Sequence, residues 1–250
     1  MENYLELKNI SLVYQTQNGE TMALKDISFS VNKGEFVSIV GPSGCGKTTI
    51  LSLISQLFEP TSGEIFLEGK KLEKGDANIG YMFQRDNLFE WRTIYKNVML
   101  GLELYKKHKL PENIERVNDL LKKYGLFEFK DKYPSQLSGG MRQRAALIRT
   151  LALSPKLLLL DEPFSALDYQ TKLHVCDDVR SIIANEKQTA ISVTHDISEA
   201  ISMSDRIIIL TERPAVVKVI KNIKIEGETP LKKREHKDFP KYFDEIWKEL

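Results

Sequence analysis

The chain has 250 residues, with 36 Lys and Arg against 35 Asp and Glu and a formal net charge of +1. That balance excludes a protein dominated by a basic nucleic-acid footprint. No window holds the roughly 18 consecutive apolar residues of a membrane span, and Met1-Glu2-Asn3-Tyr4 lacks a leader pattern, so the expectation is a cytoplasmic protein with no span of its own.

Leu5, Leu7, Ile10, Leu12 and Tyr14 alternate loosely until Gly19 breaks the run. Leu24, Ile27, Phe29 and Val31 follow, ending at Asn32-Lys33-Gly34. Both stretches read as antiparallel strands. Tyr14 is either an aromatic of the strand face or a ring stacked on a nucleotide base.

The apolar run Phe36–Val40 leads into Gly41-Pro42-Ser43-Gly44-Cys45-Gly46-Lys47-Thr48, and Ile50, Leu51, Leu53, Ile54 and Leu57 continue at helical spacing. Strand, G-x-x-x-x-G-K-T and helix in that order make a P-loop. The three glycines let the backbone curl so that several N–H groups face one point. The helix start adds its positive dipole end, Lys47 a full charge for the outer phosphates, and Thr48 a hydroxyl for Mg²⁺. Cys45 and Cys176 are the two cysteines, far apart, and form no disulfide framework.

Glu68-Gly69 between Glu64–Leu67 and Lys70–Leu72 predicts a hairpin. Ile79–Phe83 reads as a short strand ending in Gln84, which matters if that end faces the phosphates. From Thr93 to Tyr133 apolar residues recur at helical spacing: Ile94, Val98, Leu102 and Tyr105, then Ile114, Val117, Leu120, Leu121 and Tyr124. Pro111 starts the second helix. This helical insertion reads as a subdomain, and it carries no long heptad array.

Leu137-Ser138-Gly139-Gly140-Met141 opens another helix, and Ser138 with Gly139 and Gly140 forms a second anion-binding helix start. Leu157–Leu160 is apolar throughout, as in a buried parallel strand, and it ends in Asp161-Glu162. Ligands of open parallel sheets sit at such ends, so Asp161 suits Mg²⁺ and Glu162 is placed to polarise a water. Ser165–Asp168 caps the next helix. Thr189–Thr194 is another buried strand, leading to His195-Asp196, and Arg206–Leu210 a further one. Val216–Ile220 is a last apolar run, and Phe239 to Leu250 has the spacing of an amphipathic helix, for which packing on its own domain is favoured over contact with a membrane surface.

Taken together, Gly41–Thr48, Gln84, Leu137–Met141, Leu157–Glu162, Ser165–Asp168 and His195 resemble, in order and spacing, an ABC-transporter ATPase subunit. The resemblance runs from Leu5 to about Leu210. It implies an α/β P-loop NTPase fold with an N-terminal antiparallel β subdomain and an inserted helical subdomain. It also implies an ATPase domain over 1–230, its helical part at about 90–150, and a charged, amphipathic tail over 231–250.

By the same resemblance Gly41–Thr48, with Thr49, is the Walker A motif that binds ATP, and Gln84 is the Q-loop. Ser138-Gly139-Gly140 is the signature, and Met141 departs from the usual Gln. Asp161 is the Walker B aspartate at Mg²⁺, with Thr48 and Gln84. Glu162 is the catalytic glutamate, Asp168 the D-loop and His195 the switch histidine, while Tyr14 matches the adenine-stacking aromatic. The implied partners are a second copy, head to tail around ATP, transmembrane permease subunits and, indirectly, a substrate-binding protein. The implied place is the cytoplasmic face of the membrane.

Phe89-Glu90-Trp91-Arg92-Thr93 and Arg213-Pro214 resemble importers of nitrate, sulfonates, taurine and related compounds, although Glu90 stands where these more often have Pro. An exporter subunit carries the same core motifs. DNA-acting relatives carry long coiled coils between P-loop and signature, and ribosome-acting ones two cassettes, and this chain has neither.

Overall fold

The computed structural model describes residues 3–16, 19–73 and 79–250. Met1 and Glu2, where the expected ATPase domain and the leader reading begin, lie outside the described residues. The N-terminal strands are β1 (Leu5–Thr16) and β2 (Gly19–Val31), paired antiparallel with Leu5 opposite Val31 and Leu7 opposite Phe29. β3 (Phe36–Val40) is buried along its whole length. α1 (Lys47–Ile54) follows, then the hairpin of β4 (Ser62–Leu67) and β5 (Lys70–Lys71). Leu57, counted in the apolar face of α1 from its spacing, lies past the helix end and is exposed. The reason is local: Gln56 takes the left-handed conformation at φ 60°, which stops the helix.

β6 (Ile79–Met82) stops two residues before Gln84, so the amide rides on the following loop and not on the strand end. α2 (Ile94–Leu104), α3 (Pro111–Lys123) and α4 (Gly139–Leu151) come next, with two short 3₁₀ turns between α3 and α4. The remainder alternates: β7 (Leu157–Asp161), α5 (Tyr169–Asn185), β8 (Thr189–Val193), α6 (Ile197–Met203), β9 (Arg206–Leu210) and β10 (Val217–Asn222). α7 (Pro230–Glu235) and α8 (Phe239–Trp247) close the chain and pack on α6. Among the described residues no helix is long and apolar enough to cross a membrane.

Two sheets result. One has the order β2-β1-β4-β5 and is antiparallel. The other has the order β10-β9-β3-β8-β7-β6, parallel except for β10. β10 is an edge strand whose residues are alternately half-buried and exposed, so Val217 and Val219 of the Val216–Ile220 run are half-buried while Ile220 is exposed.

Strand alternation sorts the core. Leu157 and Leu159 face the antiparallel sheet and α1, with Val37, Ile39, Ile191 and Val193. Leu158 and Leu160 face the opposite way, into the cluster that α2, α3, α4 and α5 build. A third cluster joins Val40, Ile207 and Ile209 to α6 and to Ile246 of α8, which is fully buried.

Asn97 of α2 is a fully buried polar side chain with complete bonding. Its Nδ2 donates to the carbonyls of Phe89, Arg92 and Thr93 at 3.0 to 3.1 Å, and its Oδ1 accepts from the Phe89 N–H at 2.7 Å. One amide therefore shapes the loop that presents Trp91, whose side chain is 75% exposed and stacks on Phe89 at 4.7 Å. Asn97→Leu keeps the volume and removes these bonds. The expected loss is about 1–3 kcal/mol of stability, read as a lower urea midpoint at constant slope. An unshifted midpoint would mean that water replaces Asn97 at no cost.

Candidate functional site

The parallel strands β3, β7 and β8 end on one edge of the sheet, and the chain places its chemistry there. The P-loop leaves β3 at Gly41 and enters α1 at Lys47. Gly44 and Gly46 take φ 73° and 122°, and an added Cβ on Gly46 would stand 2.7 Å from Leu24 Cδ2. These two glycines carry the backbone curl. Gly41 does not: its φ is ordinary, and it is small because a Cβ would meet Cys45 Sγ at 3.0 Å and Leu210 at 3.1 Å. Burial pushes the Cys45 thiol up, which keeps it a thiol.

Lys47 is only 7% exposed. Its Nζ donates to the carbonyls of Gly41 at 2.8 Å and Pro42 at 2.9 Å. A buried ammonium needs such partners, and the loop's own carbonyls supply them. Arg213, which the sequence offered only as a mark of a subgroup, donates from Nη2 to the Gly44 carbonyl at 2.6 Å. Its neighbour Ala215 bonds into β2 at Ala23 and Lys25, so the loop after β9 braces the P-loop from outside.

Asp161 continues the face of Leu157 and Leu159, and that face looks at α1. Its Oδ1 accepts from Thr48 Oγ1 at 3.0 Å, and its Oδ2 from the Tyr81 hydroxyl at 3.0 Å. Burial pushes the Asp161 carboxyl above the ordinary aspartate range, and the two hydroxyls partly offset that. Sequence reasoning assigned Tyr81 no part. The signal was available in the register: Tyr81 stands two residues before the end of the apolar β6 run, on the face that Asp161 shares.

Glu162 points elsewhere. Its φ of 45° breaks the strand alternation, an uncommon conformation for a residue with a side chain. The Glu162 N–H donates to the Val193 carbonyl at 2.9 Å, and its own carbonyl accepts from the Ser165 N–H and Oγ at 3.2 and 3.0 Å. These bonds hold the turn. Glu162 Oε2 then lies 3.2 Å from His195 Nδ1 and 3.5 Å from Gln84 Nε2. Gln84 also donates to Ser165 Oγ at 3.1 Å. Tyr14 reaches Thr49, hydroxyl to hydroxyl, at 3.2 Å, and its half-buried ring packs on the core beneath the P-loop.

Gly41 to Thr49, Tyr14, Gln84, Asp161, Glu162 and His195 therefore converge. Ser138, Gly139, Gly140 and Asp168 do not join them through any contact described. Ser138 is the N-cap of α4 and accepts from the Met141 N–H at 3.3 Å. Asp168 is the N-cap of α5 and accepts from the Thr171 N–H at 3.0 Å; the Thr171 hydroxyl, and after it that N–H, holds its carboxyl below the usual range. Gly140 is glycine for packing: a Cβ there would lie 2.7 Å from Val175 Cγ2 of α5. Two arginines of α4 grip the loop after Gln84. Arg142 Nε pairs with Asp86 Oδ2 at 3.1 Å, and Arg149 donates to the Asp86 and Asn87 carbonyls at 2.7 Å.

The sequence profile described as "ABC transporter" matches residues 24–165. The chain belongs to the ABC transporter family. An uncharacterized ABC transporter ATP-binding protein of Bacillus subtilis, YtlC, is 45% identical over 99% of this chain and 96% of its own length. The nitrate import ATP-binding protein NrtD of Synechocystis sp. is 39% identical over 97% of this chain and 93% of its own length. Among solved structures, the dimer of the ATP-binding cassette MJ0796 in a post-hydrolysis state with ADP and Pi superimposes with a TM-score of 0.72, at 33% identity, over 88% of this chain and 99% of that one. The fold is that of an ABC ATPase cassette, and its site is an ATP-binding one.

Within this ABC cassette the Gly140 contact sets how closely α4 approaches α5. Gly140→Ala should cost about 1–3 kcal/mol through overpacking. Gly140→Ala with Val175→Ala should lose less than the sum of the two single losses, because the second change opens space for the first. Thermal unfolding of the four proteins measures the coupling. Strict additivity would mean that the helices separate without touching Val175.

Proposed function

We propose that this chain is the ATP-binding and hydrolysing subunit of an importer for nitrate, a sulfonate, taurine or a related small compound. The observation that carries the hydrolytic reading is the position of Glu162. Its carboxylate is turned out of β7 by a left-handed residue and stands beside His195 and Gln84. A carboxylate so placed orients and deprotonates a water.

The other roles follow from geometry and the family. The N–H groups of Gly41, Ser43, Gly44, Cys45, Gly46, Lys47, Thr48 and Thr49 form the phosphate cradle, and Pro42 lends it shape without a donor. Lys47 exchanges the Gly41 and Pro42 carbonyls for phosphate oxygens. The positively curled loop and the paired Thr48 and Asp161 oxygens fit a nucleotide and its metal. Thr48, Asp161 and Gln84 would hold Mg²⁺. Mg²⁺, when bound, neutralises charge on the outer phosphates. His195 holds Glu162 and contacts the γ-phosphate, and Tyr14 stacks on the base.

Ser138, Gly139, Gly140 and Asp168 serve the site of a second copy, arranged head to tail around ATP. That arrangement gives a purpose to a glycine-rich helix start standing apart from this chain's own cradle. The exposed loop around Trp91 docks on transmembrane permease subunits, and through them the chain acts with a substrate-binding protein at the cytoplasmic face of the membrane. Residues 1–230 act as the ATPase domain, with about 90–150 as its helical part, and 231–250 as an appended segment. The Arg213-Pro214 pair and the likeness to a nitrate import subunit support this branch.

Glu162→Gln keeps the side-chain shape and cannot take a proton. Hydrolysis should fall by about 10²–10⁴, while ATP still binds and the protein accumulates as an ATP-bound dimer. Phosphate release and size-exclusion chromatography with ATP and Mg²⁺ measure both. Turnover equal to the parent would remove Glu162 as the base, and an inactive protein that stays monomeric would remove the ATP-held dimer.

A further inference from the structure

The reading above gives Asp161 and Thr48 to the metal and leaves Tyr81 without a task. We propose that Tyr81 is a positioning residue of the metal site, its hydroxyl holding Asp161 so that Oδ1 faces Thr48. The inference rests on the reading of Thr48 and Asp161 as metal-holding residues.

The placement begins in the sheet. β6 and β7 are parallel neighbours, with Tyr81 opposite Leu159 and Met82 opposite Leu160. Side chains two apart share a face, so Tyr81 stands on the face of Leu159 and Asp161. The Tyr81 ring packs against the core beneath α1 and contacts the Phe83 ring at 4.6 Å. A ring held on its flanks delivers its hydroxyl to one place.

At that place the hydroxyl donates to Asp161 Oδ2 at 3.0 Å, while Thr48 Oγ1 donates to Oδ1 at 3.0 Å. The two donors come from different elements and take different oxygens. A carboxylate anchored through one oxygen turns freely about its last torsion, which is broad. Anchored through both, it is fixed in position and plane. Thr48 has lone pairs left for a cation while its proton stays on Asp161. A phenol is protonated at neutral pH, so the Tyr81 hydroxyl has a proton to donate. Partners that orient a ligand in this way typically change metal affinity by about 10- to 100-fold when removed.

Tyr81→Phe removes one oxygen and keeps the packed ring. The probe is Mn²⁺, titrated into the full chain loaded with a non-hydrolysable ATP analogue and read by its electron paramagnetic resonance signal. Binding of the same analogue in EDTA, by calorimetry, reports the cradle alone. Tyr81→Phe should weaken Mn²⁺ binding about tenfold or more and leave the EDTA affinity unchanged. Asp161→Asn is run beside it. Weakening in Asp161→Asn with Tyr81→Phe equal to the parent overturns the role of Tyr81 and keeps the metal site. Mn²⁺ affinity unchanged in both variants overturns the metal site and Tyr81's role with it. A Tyr81→Phe protein that loses EDTA affinity in the same proportion assigns Tyr81 to the general shape of the pocket, and so rejects the proposal.

Discussion

A buried ammonium sets the terms for the whole site. Lys47 is almost excluded from water, and its charge is met by the carbonyls of Gly41 and Pro42. Those carbonyls belong to the loop that precedes Lys47 itself. The loop is thus closed on its own lysine before any phosphate arrives. Under the proposed function, binding a phosphate is an exchange of oxygen partners, not the creation of a new ion pair from solvent. The net gain is smaller than a free lysine would give, and the loop is ordered in advance, so less conformational entropy is lost on binding. Leu24 against Gly46, and Arg213 on the Gly44 carbonyl, hold the loop in that state from two sides.

The rest of the site follows from where parallel strands stop. β3, β8 and β7 are neighbours, so their ends share an edge. Alternation then decides which neighbour each acid meets. Asp161 keeps the register of Leu157 and Leu159 and meets Thr48. Glu162 would face the opposite side, beside the cluster that holds Leu158 and Leu160. A left-handed backbone turns it back toward His195 and Gln84. Two adjacent carboxylates thus acquire different surroundings at the cost of one uncommon backbone conformation.

Much of this was legible in the residues. The alternation of Leu157–Leu160, the G-K-T turn between strand and helix, and the helical spacing around Ile94 to Tyr124 are local patterns, and local patterns are what a chain displays along its length. What lay hidden depends on contacts between distant segments. Nothing near Gly41 in sequence says that Leu210 crowds it, and nothing near Gly140 says that Val175 does. Tyr81 looked like one more strand aromatic until β6 and β7 were placed side by side. Gln56 carried no mark of a helix stop, because left-handed residues other than glycine have weak sequence signals.

The hidden contacts also tie the loop after Gln84 to the second glycine-rich helix start. Gln84 bonds to Ser165 beside the Glu162 carboxylate, and two residues later the chain is held by α4. Arg149, half-buried, holds the Asp86 and Asn87 carbonyls, and Arg142 holds the Asp86 carboxylate. Several charge-assisted bonds on adjacent residues leave that loop little freedom relative to the helix. α4 begins at Ser138 and is packed on α5 without a Cβ between them at Gly140. The segment two residues after Gln84 is thereby bonded to α4, whose first turn is capped by Ser138. The same loop leads through Phe89 to the exposed Trp91, which Asn97 holds in shape. One bonded path thus joins the Glu162 carboxylate, the second helix start and the most exposed aromatic of the helical region. Separate loops without these bonds would leave the three places unconnected.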